Sequence, residues 1–159
     1  MILWLKRAAN AIGGALFLML FVVFIIQITA RFGFNKPLPW TDEAAVILYV
    51  WVILWAAAVV VPEREHVVFD LVWNSVGRRI RQAMAIVGNL LVGSMALIGL
   101  PASWDYVNFM QREGTPVLGI PLMVVYSPFV LLLVALVVRS LHAIWNAVRG
   151  VGVDAELRL

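Results

Sequence analysis

Four apolar runs, each long enough to cross a bilayer and each free of acids and bases through its centre, decide what this chain can fold into. They cover approximately residues 8–30, 41–61, 83–110 and 123–148. At about 1.5 Å per residue, even the shortest spans a hydrocarbon core of roughly 30 Å as a helix. The rest of the composition agrees. The chain is 64% hydrophobic and 13% charged, with a mean hydropathy of +0.97. Soluble domains are about half apolar and about a quarter charged. There is too little polar side chain here to cover a water-soluble surface. The reading is an all-α integral membrane protein, a single membrane domain over residues 1–159 with four transmembrane helices.

The first run follows Lys6 and Arg7 and holds Asn10, Gln27 and Thr29 as its strongly polar members. A basic start and an apolar run also describe a signal peptide. This run is too long for one and lacks a small-x-small cleavage site, so it reads as a retained helix. In the connector, Pro37 and Pro39 forbid a regular helix, and Trp40 is a residue type that settles at headgroup level. The second run then opens with Thr41 as a plausible N-cap. Asp42 and Glu43 follow in the first turn, where the helix dipole favours negative charge.

Residues 62–82 are the most polar internal stretch. Val67, Val68, Leu71, Val72 and Val76 recur at helical spacing, with arginines beyond, which suits a short amphipathic helix on the membrane surface. An ordinary solvated loop is the alternative. Within the stretch lie Arg64, His66 and Asp70, and the last two would share a helix face and a local hydrogen bond. The third run carries Ala85, Asn89 and Gly93 four residues apart, a small-residue face on which helix backbones approach and a buried amide can bond across the contact. It also holds Pro101, and its length allows tilt or a kink. Pro116, Gly119 and Pro121 punctuate the loop before the fourth run.

Charge sets the orientation. With the N-terminus inside, Lys6, Arg7, Arg64, Arg78, Arg79, Arg81, Arg139, Arg149 and Arg158 fall on the inner side, against Arg31, Lys36 and Arg112 outside. That excess places both termini in the cytoplasm. It also accounts for the net charge of +3 without nucleic acid as a partner. The absence of cysteine removes disulfide frameworks and thiolate chemistry.

Enzymes and self-sufficient transporters place ionisable groups inside the membrane. Here Asp42, Glu43, Asp105, Arg139 and His142 all sit towards the ends of their runs. His66 and His142, the two histidines, are unmatched in depth, so neither a haem nor a metal site is expected. Asp42 and Glu43 either cap their helix or meet a partner, and the two roles are compatible.

The order Pro37-Leu-Pro-Trp40-Thr-Asp42-Glu43, an aromatic helix with Tyr49, Trp51 and Trp55, then Arg64-Glu-His66-Val-Val-Phe-Asp70, resembles the small permease subunit of tripartite ATP-independent periplasmic (TRAP) transporters, the DctQ type. Thr115-Pro116-Val-Leu-Gly119-Ile-Pro121 with Val125-Tyr126 and Pro128 is similar to that family's last loop and helix. Two features depart from it: Trp55-Ala-Ala-Ala58 stands where the family often has glycine, and Met123-Val124 where it often has tryptophan. The resemblance implies a bacterial inner-membrane scaffold for a large sodium-coupled permease subunit, helping to dock a periplasmic substrate-binding protein during uptake of organic acids. It implies no enzyme activity and no cofactor; the partners are those two proteins and membrane lipid. The candidate interface positions are Trp40, Asp42, Glu43, Arg64, His66 and Asp70, with Asn89, Gly93, Pro116, Gly119 and Pro121. The alternatives are a homo-oligomeric small channel or exporter and, after it, a membrane oxidoreductase subunit.

Overall fold

The computed structural model describes residues 2–60 and 77–149. Four helices make up nearly all of them: α1 (Ile2–Ile28), α2 (Pro39–Trp55), α3 (Arg78–Phe109) and α4 (Leu122–Val148). α1 runs on into a π-helical turn, Thr29–Gly33, and α2 into another, Ala56–Val60, while α3 ends in a 3₁₀ turn, Met110–Arg112. Among the described residues the one β-type pairing is an isolated antiparallel bridge between Gly114 and Pro121. The apolar spans extend over Lys6–Gly33, Pro39–Val60, Arg79–Arg112 and Leu122–Val148. α1 and α3 therefore begin several residues ahead of the apolar runs, because a helix that leaves hydrocarbon keeps its backbone bonds and need not stop. Residues 61–76, with most of the proposed surface helix and all of Arg64, His66 and Asp70, lie outside the described residues.

The start of α2 differs from the sequence expectation in an instructive way. Thr41 is not the cap. The N-cap is Leu38, in an extended conformation at φ −105°, and Pro39 follows at the first helical position. A residue before proline is pushed towards extended backbone. Proline at that first position brings a φ already suited to helix and omits an N–H that would have no partner. Thr41 is then fully buried, and both its backbone N–H (3.0 Å) and its hydroxyl (2.7 Å) donate to the Leu38 carbonyl.

α1 ends by a related device. Asn35 takes a left-handed conformation at φ 51° while the Lys36 N–H returns to the Ala30 carbonyl at 2.9 Å. Asparagine is among the few residues with a side chain that tolerate that region. In α4, Pro128 cannot donate to the carbonyl four residues back, which is that of Val124. The Ser127 hydroxyl donates to that carbonyl instead, at 2.9 Å. A lipid-embedded helix has no water to satisfy such a group, so the serine stands in for the missing N–H.

The described residues divide into two compact units, 2–60 with 103–132 and 77–102 with 133–149. In the first, α1 and α2 pair. Trp55 donates its indole N–H to the Ala9 carbonyl at 3.1 Å, and its ring lies where a Cβ on Gly13 would make ordinary contact at 3.5 Å. Gly13 on α1 therefore lies against the Trp55 ring, and Ala58 in the π turn is buried.

In the second unit, Gly93 on α3 faces the buried Ser140 on α4. A Cβ at Gly93 would fall 2.8 Å from the Ser140 Cβ, closer than real atoms approach. Ala96, one turn further along α3, is also buried. Gly93→Ala is expected to cost about 1–3 kcal/mol through overpacking. Ser140→Gly in the same chain is expected to restore most of the loss, read as thermal unfolding in detergent. A Gly93→Ala chain as stable as the parent would show that the helices do not meet there.

Candidate functional site

Asp42 and Glu43 are neighbours near the start of α2, so their side chains leave the helix about 100° apart. Each is taken by a different element of the first unit. Asp42 accepts a hydrogen bond from the side-chain amide of Gln27, in the last turn of α1. Glu43 accepts two backbone hydrogen bonds from the loop between α3 and α4, from the N–H of Val117 at 3.0 Å and of Leu118 at 2.8 Å, both on Oε2, and the Thr115 side chain of the same loop is a further partner. Two consecutive acids hold three parts of the chain at one helix end.

The loop explains why Glu43 fits it. Residues 113–122 form a tight hairpin: the Leu122 N–H donates to the Glu113 carbonyl and the Thr115 N–H to the Ile120 carbonyl, both at 2.9 Å. At its tip the Gly119 N–H donates to the Thr115 carbonyl at 3.0 Å, closing a single helical turn over Pro116, Val117 and Leu118. Gly119 leaves that turn at φ +64°, a conformation for which glycine carries no steric cost. A helical turn exposes its first N–H groups, and Pro116 has none to expose. Thr115 would ordinarily cap the next two with its own hydroxyl. Its oxygen is engaged elsewhere, accepting from the Ile120 N–H at 2.9 Å. The N–H groups of Val117 and Leu118 are left over, and the carboxylate of Glu43 caps them from another helix.

The remaining candidate positions fall in different places. Trp40 is exposed at the start of α2, beside the braced acids. Pro116, Gly119 and Pro121 are the structural joints of the hairpin that Glu43 holds. Asn89 is half-buried and donates its side-chain amide to the Ala85 carbonyl of its own helix at 2.9 Å, and Gly93 belongs to the α3–α4 contact of the second unit. Sequence reasoning assigned no role to Gln27 or Thr115. Gln27 is conspicuous as a polar residue near the end of an apolar run, but no periodicity pairs it with a position 15 residues away. Close to the hairpin, Asp105, Asn108, Gln111 and Arg112 line a shallow polar depression with Phe109. Among the described residues no group of three or more His, Cys, Asp or Glu side chains is gathered as for a metal ion.

The family model of the DctQ component of tripartite ATP-independent periplasmic transporters matches residues 20–150. The chain belongs to this family. The matched range takes in α2, α3, α4, both braced acids and the hairpin. Three relatives are similar to it. One is the sialic acid TRAP transporter permease protein SiaT of Haemophilus influenzae, 34% identical over 89 residues, which are 56% of this chain and 14% of that protein. Another is the C4-dicarboxylate TRAP transporter small permease protein DctQ of Vibrio cholerae, 28% identical over 93 residues, 58% of this chain and 38% of the relative. The third is a putative TRAP transporter small permease protein of Haemophilus influenzae, 18% identical over 151 residues, covering 92% of this chain and 94% of the relative. The chain thus spans well under half of the first two relatives and nearly all of the third. No solved structure matches it.

If Glu43 caps the hairpin, Glu43→Ala removes one charged acceptor from two N–H groups, at a cost of about 1–3 kcal/mol. The local consequence is faster amide exchange at Val117 and Leu118, by roughly tenfold or more, with the amides of α1 unchanged. Glu43→Gln, which keeps an acceptor oxygen, is expected to fall between. Equal protection at Val117 and Leu118 in parent and Glu43→Ala would show that the carboxylate does not hold the turn.

Proposed function

We propose that this DctQ-family chain is the small, non-catalytic membrane subunit of a TRAP-type uptake system in the bacterial inner membrane, with both termini cytoplasmic. It holds a large sodium-coupled permease subunit in place and helps a periplasmic substrate-binding protein to dock, and the cargo is an organic acid. The observation that carries this reading is the distribution of polar groups. The centres of the four spans hold no ionisable side chain, and the strongest polar contacts serve to fix helix ends to each other. A chain that moved an ion or a carboxylate by itself would need ionisable groups at mid-membrane.

Burial supports a scaffold role from a second side. Within the most apolar stretch of each span, between 6% and 11% of the residues are buried by the chain itself. Most of the apolar helix surface is left for lipid or another membrane protein to cover. Relative sizes point the same way. The stretch similar to this chain is only 14% of the SiaT permease protein, so most of that permease has no counterpart here and would come from a separate subunit. Sialic acid and C4-dicarboxylates, named for two of the relatives, are both carboxylates. The polar depression near Arg112 and the hairpin offer a soluble protein a firm surface on the periplasmic side.

Expressed with its large permease partner, the chain is expected to copurify with it, and reconstituted uptake is expected to need both subunits and the binding protein. Charge reversal of both acids, Asp42→Lys with Glu43→Lys, is expected to lower uptake with a matching loss of complex yield or of binding-protein affinity. Substrate flux by the purified chain alone in liposomes would overturn the proposal. Full uptake by the double reversal would take the two acids out of it.

A further inference from the structure

The hairpin that Glu43 caps carries two apolar side chains at its tip with little of the chain over them. Val117 is 53% exposed and Leu118 40%. From Gly114 to Leu122 there is no charged residue; Arg112 and Glu113 stand at the base. The backbone of the tip is closed as well. The N–H groups of Thr115, Gly119 and Leu122 donate to carbonyls of the hairpin, that of Ile120 to the Thr115 hydroxyl oxygen, and those of Val117 and Leu118 to Glu43. Pro116 and Pro121 have none. From Thr115 to Leu122, every N–H is used or missing. An N–H without a partner is what makes backbone costly to take out of water, and this turn has none to strand.

The capping acid fixes the depth of the tip. The apolar span of α2, Pro39–Val60, is 22 residues long. That is about 33 Å, little more than a hydrocarbon core of roughly 30 Å. Pro39 therefore stands near the edge of the core, and Glu43 about 6 Å further along. Helix side chains lean towards the N-terminus, which brings the carboxylate back to that edge. The N–H groups of Val117 and Leu118 lie within 3.0 Å of it, so the turn is held at the edge and not above it. The neighbouring spans leave little slack, since that of α3 ends at Arg112 and that of α4 begins at Leu122, with only the hairpin between.

Depth and chemistry then indicate what covers the tip. Pro116, Val117, Leu118 and Gly119 offer no charged or donor side chain by which a protein could select them. Aliphatic side chains at this depth, beside an exposed Trp40 of the type that settles among headgroups, are what a lipid surface accepts. We propose that the 115–119 turn is a membrane-surface foot, with Val117 and Leu118 inserted among the lipids at the hydrocarbon edge. In the orientation given above the leaflet is the periplasmic one. The base of the hairpin and the depression beside Arg112 stay on the water side. Glu43 then does two things with one carboxylate: it completes the backbone of the foot and sets its depth.

The chain has no cysteine, so a nitroxide label can be placed at one position at a time in the full-length chain. Labels at Val117→Cys, Leu118→Cys, Glu113→Cys and Ile98→Cys are compared in phospholipid nanodiscs. The readout is collision with oxygen, which concentrates in lipid, and with a nickel chelate, which stays in water. Ile98, 76% exposed near the middle of the α3 span, is the lipid reference, and Glu113 the water reference. Val117 and Leu118 are expected to favour oxygen over nickel by about threefold or more relative to Glu113, and by less than Ile98 does. Tip labels that meet nickel as freely as Glu113 overturn the inference. So do tip labels shielded from both reagents, in the chain alone or beside a large permease subunit, since that assigns the tip to a protein surface. Both faces of a nanodisc are alike, so the depth reading is separate from the orientation and the uptake role proposed above. If the labelled chains do not fold, wild type decides by NMR. A spin label on the lipid acyl chain is expected to broaden the Val117 and Leu118 amides more than a gadolinium chelate in water does, and the reverse order overturns the inference.

Discussion

A carboxylate on α2 caps a helical turn 74 residues further along the chain, and much of the first unit depends on that contact. The turn is built from Thr115-Pro116-Val117-Leu118-Gly119 and needs an acceptor for two N–H groups, because its own threonine is engaged in closing the hairpin. Glu43 meets both donors with one oxygen. In doing so it makes the position of the α3–α4 loop depend on the start of α2, and the start of α2 depend on Pro39 and the buried Thr41.

The same economy of polar contacts governs α1 and α2. Lipid tails are as apolar as leucine side chains, so hydrophobic burial does little to drive helices together in a bilayer. What fixes the pair is specific. At one end the Trp55 indole reaches the Ala9 carbonyl over Gly13, and at the other Gln27 reaches Asp42. The two ties are 13 residues apart on α2, about 20 Å along its axis. Two helices joined at two well-separated points resist both sliding and splaying. In the second unit, close approach of Gly93 and Ser140 brings α3 and α4 together.

The spans were legible in the sequence, because a run of twenty apolar residues has one stable outcome in a bilayer and neither packing nor partners change it. The helix start at Pro39 was legible in principle, since proline at a first helical position is a local signal. Thr41 was the more conspicuous residue, and its side chain is instead used inside the first turn. Glu43 was recognised as a residue with a polar purpose, but its target was not readable. Capping at a distance leaves no periodicity, and the donors are backbone groups that any sequence possesses. Gln27 and Asp42 met for the same reason without notice. The Ala85, Asn89 and Gly93 face shows the intermediate case: spacing marks a face, and only coordinates show that Gly93 touches Ser140 while Asn89 bonds to its own helix.

Charged side chains at the helix ends, with none in the middle of the described spans, amount to a division of labour. A membrane protein that carries solute must expose polar groups to it at the depth where the solute crosses, and must let those groups exchange partners as it moves. In this chain Gln27, Asp42, Glu43, Thr115 and Trp55 are committed to holding backbone and helix ends in place. A bond that changed partners during each cycle would loosen the hairpin or part α1 from α2. Rigidity of this kind fits the proposed role of a part that stays still while something beside it moves. A DctQ-family subunit with bare helix surfaces and braced ends is suited to be the fixed side of such a pair.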